Sequence, residues 1–185
     1  MSRMRVVEFV FAIGWAGFWI YWIVAALHMK KGHASWSRDL RVRAVIAIFV
    51  LLLIRVGAFR NGSFNSDPWR AGVGLVLFAF GLGFAIWARP HIGRNWGTPM
   101  SQKDEPELVT SGPYRLIRHP IYFGLLLAGV GTAVALRWMW LIALALVGMY
   151  FVYSATVEEH YLTEQFPDAY PTYKRATKML VPFVF

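Results

Sequence analysis

"GPYRLIRHPIYFG" at residues 112–124 runs without interruption into "LLLAGVGTAVAL" at residues 125–136. Two arginines, a histidine and two prolines therefore stand at the lip of an apolar stretch that carries no charge until Arg137. Pro120 fixes where a helix starts, because the N–H a proline lacks is not needed at the first helical position, and His119 becomes the cap. From Pro120 to Arg137 such a helix climbs about 26 Å, and the apolar run 138–157 then descends about 30 Å at 1.5 Å per residue. Glu158 and Glu159 return to the level of Arg118 and His119. Tyr122, three residues after His119, shares its face of the helix. A hairpin thus gathers Arg118, His119, Tyr122, Glu158 and Glu159 at one end, with Tyr114 and Arg115 just before them.

Composition says what surrounds the hairpin. With 57% hydrophobic and 16% charged residues in 185, the chain is too apolar for a soluble domain of this size. Apolar segments at 6–27, 41–59, 70–88, 121–136 and 138–157 approach the length of about 20 residues that crosses a bilayer. The expectation is an all-α integral membrane protein of about five transmembrane helices, folded as a single domain over 1–185. Residues 1–88 supply the N-terminal three spans and 89–185 the polar core. The second segment is short and carries Arg55, and the fourth has a length that also suits a buried or tilted helix. The first follows Arg3 and Arg5 but is longer than a signal-peptide core and lacks a small-residue cleavage site, so it reads as a retained anchor.

Inventory excludes several chemistries. The chain has no cysteine, which removes disulfides, thiolate nucleophiles and zinc–thiolate sites. Its five histidines are scattered at 28, 33, 91, 119 and 160, so no metal centre is expected. The net charge of +9 is spread over the ends of apolar segments rather than gathered on one domain, which argues against nucleic acid. "GVGLVL" at 72–77 lacks the third glycine of a dinucleotide turn and sits inside a span, where helix packing explains it.

Positive charge orients the chain. With five spans and the N-terminus outside, the cytoplasmic side receives Lys30, Lys31, Arg38, Arg41 and Arg43, then Arg89, Arg94, Lys103, Arg115 and Arg118, then Lys174, Arg175 and Lys178. The other side keeps Arg3, Arg5, Arg60, Arg70 and Arg137. The expected topology is N-terminus outside, with the loop at 89–119 and the C-terminus cytoplasmic. Taken singly, these charges are topology signals and headgroup contacts, and the tyrosines an interfacial belt. Together, His and Pro at a helix start beside opposite charges at one depth point to a site for a polar ligand.

"LVTSGPYRLIRHPIYFG" at 108–124, followed by "EEHYLTEQFPDAYPTYKRATKMLVPF" at 158–183, resembles the C-terminal half of the isoprenylcysteine carboxyl methyltransferase family of integral membrane enzymes. "HIGRNWG" at 91–97 resembles it too. The resemblance implies methyl transfer from S-adenosyl-L-methionine held at the cytoplasmic face. Carried over by motif, the cofactor contacts fall on Pro106, Glu107, Leu108, Val109, Tyr114, His119, Pro120, Ile121, Tyr122 and Glu158. Glu158 would meet the ammonium, and Tyr122 the positive sulfur.

The acceptor is less well specified. The eukaryotic members have an arginine associated with substrate one turn before the first Glu, where this chain has Ser154. A substrate carboxylate would then be oriented by Arg118, Arg175 or a backbone amide, and an amine acceptor would find Glu159 as base or counter-ion. Arg118 and Glu159 are accordingly the catalytic candidates, and Ser154 and Arg175 the substrate-binding ones. Carboxyl O-methylation of an isoprenylcysteine-like, lipophilic substrate leads, with N-methylation of a phospholipid amine as the alternative. A nicotinamide-dependent sterol-type reductase and a non-enzymatic membrane binding protein are the remaining alternatives. The tail "EQFPDAYPTYKRATK" at 164–178, broken by Pro167 and Pro171, either closes the site or anchors on anionic headgroups.

Overall fold

The structure, a computed structural model, describes residues 3–27, 32–34, 67–96, 101–103 and 106–184 together with positions 44 and 48. The expected span at 41–59, with Arg55, lies outside the described residues. Among the described residues, four long helices are α1 (Arg3–Ala26), α2 (Pro68–Ile92), α3 (Pro120–Ala135) and α4 (Trp140–Gln165), followed by the short α5 (Ala169–Ala176). Two three-residue strands, β1 (Gly32–Ala34) and β2 (Ser101–Lys103), pair antiparallel. Among the described residues the fold is otherwise all-α. Among the described residues three helices are long and apolar enough to cross a membrane, Arg5–Ala26, Pro68–Asn95 and Trp140–Gln165, while α3 is a shorter apolar helix.

The helix ends follow local chemistry. α3 begins at Pro120 behind His119, where the proline placed it. α2 also opens on a proline, Pro68, and its last turn contains Pro90. Pro90 cannot donate in the ladder, and the chain leaves α2 at Gly93 (φ 53°) into the short 3-10 turn Gly93–Asn95. α4 runs to Gln165, eight residues beyond the apolar segment that announces it, because polarity ends a hydrophobic run without ending a helix. Pro171 does not break the tail. It sits in the first turn of α5, where its missing N–H is harmless, and only Pro167 falls in a turn.

Packing is set by small residues, as it must be where lipid offers no hydrophobic drive between helices. α2 and α3 are antiparallel and touch through glycine: a Cβ on Gly81 would lie 2.5 Å from Gly124 O and Ala128 N. One on Gly131 would lie 2.5 Å from Gly74 O. Gly74 is thus the packing residue of "GVGLVL". α1 joins through aromatics, with Phe11 and Trp15 meeting Phe78 at 4.5 Å and 5.5 Å between ring centroids. Trp15 adds a polar tie, its Nε1 donating to Thr132 Oγ1 at 3.2 Å.

One end of the bundle gathers the segments after α1, after α2 and before α3. Arg89, near the end of α2, donates to Ala25 O at the end of α1 (2.7 Å) and to Gly93 O (2.6 Å), and its guanidinium lies over Trp96 at 4.8 Å. The β1–β2 pairing holds the segments after α1 and after α2 together at this end. The N-terminus of α3 and the C-terminus of α4 meet there as well, and the chain beyond α5 returns to pair with the residues before α3.

Candidate active site

The wall of the site starts with Gly112. Its φ of +58° is open to glycine and strained for other residues, and a Cβ there would collide with the His91 ring. The 3-10 turn Gly112–Arg115 that follows buries Pro113 and Tyr114. Ile117, fully buried, forms a parallel bridge with Lys178, and the backbone N–H groups of Arg118 and His119 donate to Lys178 O (2.8 Å) and Met179 O (3.0 Å). The returning tail is thus stitched to the motif before α3 begins.

Two carboxylates one residue apart on α4 face different partners. Glu158 Oε1 accepts from Tyr122 Oη at 2.6 Å and from Ser154 Oγ at 2.9 Å. Glu159, almost fully buried, takes Arg118 Nε at 2.6 Å on one oxygen and Lys174 Nζ at 2.7 Å on the other. The His119 ring lies between them, with Nδ1 3.6 Å from Glu158 and Nε2 3.5 Å from Glu159. His119, Tyr122 and Phe151 stack as three near-parallel rings, with centroids 5.4 Å and 4.4 Å apart. Arg118 Nη1 donates to the carbonyls of Thr177 (2.6 Å) and Lys174 (3.2 Å), and Tyr173 Oη to Tyr114 O (2.7 Å).

Against this cluster opens a cavity of about 480 Å³, within the range of small-molecule and cofactor sites. Its rim and floor combine Asn95, Glu107, His119, Tyr122 and Glu158 with the aromatic faces of Trp19, Trp22, Trp96, Phe151, Tyr161 and Tyr170. Asn95 Nδ2 donates to Glu107 Oε2 at 3.2 Å, linking the segment after α2 to the one before the motif. Burial pushes the phenols of Tyr114, Tyr170 and Tyr173 well above their usual pKa. They are neutral hydrogen-bonding groups at any physiological pH.

The structure brings most of the residues singled out from sequence to this cavity. Pro106, Glu107, Leu108, Val109, Tyr114, His119, Pro120, Ile121, Tyr122 and Glu158 all line it, and so does Arg118. Glu159 and Ser154 do not reach the wall: Glu159 is turned into its two cations, and Ser154 is fully buried behind Glu158 and Tyr122. Arg175 is not brought in. One residue beyond Lys174, it is rotated to the exposed side of α5, where its Nη2 donates to Thr172 Oγ1 at 3.1 Å. Sequence reasoning missed Trp19, Trp22, Trp96 and Phe151, which line the cavity, and Lys174, which completes the ion cluster. Interfacial tryptophans carry no local sign of which ones turn inward. Lys174 lies in a basic tail whose partner is revealed only by tertiary contact.

A family model described as phospholipid methyltransferase matches residues 69–169 of the chain, more than half of it. The chain belongs to the phospholipid methyltransferase family. Among curated relatives, protein-S-isoprenylcysteine O-methyltransferase B of Arabidopsis thaliana is 33% identical over 63% of this chain and 61% of its own length. The nickel-cobalt-cadmium resistance protein NccN of Alcaligenes xylosoxydans xylosoxydans is 28% identical over 76% of this chain and 62% of its own length. Methanethiol S-methyltransferase of a Pseudomonas strain is 29% identical over 80% and 61%. The chain therefore spans about three fifths of the length of each of these relatives. The isoprenylcysteine carboxyl methyltransferase resemblance carried by the two motifs is borne out by such relatives within the family.

Proposed function

We propose that the chain is an S-adenosylmethionine-dependent methyltransferase of the membrane that acts on a lipophilic acceptor. The observation that carries the reading is Glu158, a carboxylate held by Tyr122 and Ser154 at the wall of an otherwise aromatic cavity. Such a donor set fits the cofactor. Glu158 would take the ammonium, neutral aromatic faces including Tyr122 would receive the sulfonium, and the first turn of α3 would offer backbone N–H groups to the carboxylate.

When bound, S-adenosylmethionine supplies the methyl group on its positive sulfur. The chain's part is to bind, orient and keep water out. Tyr122 is locked in the ring stack and fixes Glu158, while Asn95 holds Glu107 across the opening. No covalent nucleophile from the chain is needed for a transfer that depends on alignment.

For the acceptor, carboxyl O-methylation of an isoprenylcysteine-like substrate is the reading put forward. A carboxylate is ionised at neutral pH and asks no proton transfer of the chain, whereas an amine must first lose a proton. Glu159, the base an amine would have used, is saturated by Arg118 and Lys174. Isothermal calorimetry of S-adenosylhomocysteine on detergent-purified protein tests the cofactor, with Glu158→Ala expected to weaken binding about tenfold, or roughly 1.4 kcal/mol. No heat for the parent protein, but heat with a reduced nicotinamide, would select a reductase instead. Methyl-labelled donor, incubated with membranes carrying the enzyme, tests the acceptor: mild alkali frees volatile methanol from a methyl ester, while alkali-stable label in lipid would mean N-methylation.

A further inference from the structure

Glu159 presents a puzzle that the reading above does not absorb. It is the most buried carboxylate of the polar cluster, it is held by two cations, and it does not touch the cavity. Both of its partners lead to the same place. Lys174 belongs to α5, and Arg118 spends its remaining Nη1 on the carbonyls of Lys174 and Thr177, at the end of α5.

The segment 166–180 needs such an anchor. α5 has eight residues, too few for a helix to persist on its own. The segment nevertheless supplies Tyr170 and Tyr173 to the outer wall of the cavity, and Leu180 to the core. Beside the buried side chains of Tyr170 and Leu180, what keeps it in place is the Glu159 ion cluster, the two backbone bonds to Arg118 and His119, and the Tyr173–Tyr114 bond. Lys174 is half exposed, so its arm of the cluster is open to water and salt.

We propose that Glu159 is a positioning residue: through Arg118 and Lys174 it fastens segment 166–180 as the detachable outer wall of the cavity, and loss of that fastening lets bound ligand escape. The neighbouring carboxylates thereby divide the work. Glu158 faces the contents and Glu159 holds the closure. The ligand half of this proposal rests on the methyl-donor reading, whereas the fastening does not.

The segment carries its own trypsin sites at Lys174, Arg175 and Lys178, which allows a test on ligand-free protein in detergent. Glu159→Gln and Lys174→Met are expected to speed cleavage at Arg175 and Lys178 about tenfold while sites outside the segment keep the parent rate. Lys174→Arg, which retains the cation, is expected to restore the parent rate. If Glu159→Gln digests everywhere alike, Lys174→Met decides, since its half-exposed side chain can be shortened without a core defect. Parent-like cleavage of the segment in Lys174→Met overturns the proposal. With ligand, release of S-adenosylhomocysteine measured by surface plasmon resonance should quicken about tenfold in both fastening variants, because a loosened wall opens an exit without changing the contacts the ligand makes. Unchanged release beside accelerated cleavage would overturn the ligand half. Absence of S-adenosylhomocysteine binding to the parent, beside accelerated cleavage, would sink the methyl-donor reading and leave the fastening standing.

Discussion

Tyr122 does three jobs within one residue: it donates to Glu158, meets Ser154 Oγ at 3.2 Å, and sits between the rings of His119 and Phe151. The jobs can be separated. Tyr122→Phe keeps the stack and removes the donor, which should lower S-adenosylhomocysteine affinity about fivefold, near 1 kcal/mol, with the unfolding temperature little changed. Tyr122→Leu should lower both. Equal effects of the two substitutions, by calorimetry and thermal unfolding, would mean that the ring stack contributes nothing beyond the hydroxyl. Gly112 makes a second test, of backbone rather than side chain. Gly112→Ala combines a left-handed φ with a collision against His91 and should destabilise by about 1–2 kcal/mol. Truncating His91 to alanine in the same chain should recover the steric part only, because the φ remains. His119, Pro120 and Glu158 were legible from sequence because each stands at a break between polar and apolar chain, where few roles are open. Trp19 and Trp22 were not: Trp22 is buried and Trp19 half exposed, both line the cavity, and nothing local tells such indoles from lipid-facing ones.

Helices α2 and α3 meet where side chains are missing. At Gly124 a Cβ would stand 2.6 Å from Gly81 O and 2.8 Å from Ala85 N, both backbone atoms that cannot rotate aside. Gly124→Val should therefore cost about 2–3 kcal/mol and be seen as a lower unfolding temperature in detergent. Gly83→Ala, with nothing within 4 Å of its Cβ, should be neutral within about 0.5 kcal/mol. If both behave alike, the close crossing is not what joins these helices. The start of α3 was readable, since a proline at the first position leaves little latitude, and its end at Ala135 falls within one residue of the end of its apolar run. The end of α4 was not. α4 outlasts its apolar run because Glu158, Glu159 and Glu164 are all tolerated in a helix once lipid is no longer the neighbour, so hydropathy underestimates it.

For the molecule as a whole, the ends of α1 and α2 and the start of α3 share one level, and the N-terminus of α1 lies at the other. Reporter fusions at Asp104 and after Phe185 should both give a cytoplasmic signal, and one at the N-terminus should not. Signals from opposite sides for the first two would contradict the pairing of the tail with Arg118 and His119. The far side carries a different message. Gly74 of α2 packs on Ala135, so the last turn of α3 stops level with a residue six positions inside the start of α2 at Pro68. Six residues of helix are about 9 Å, and the sixteen residues of α3 span only about 24 Å against a hydrocarbon layer of about 30 Å. Arg137 and the exposed ring of Trp138 mark that recessed turn, groups that seek the headgroup level. The expected consequence in a bilayer is local thinning at this turn, where Trp138 is exposed, since α3 itself has no exposed residue and is packed inside the bundle. Reconstituted in phosphatidylcholines of increasing acyl length, it should work best in short chains and lose activity as the membrane thickens, because each added ångström of mismatch strains the helix that opens on Pro120.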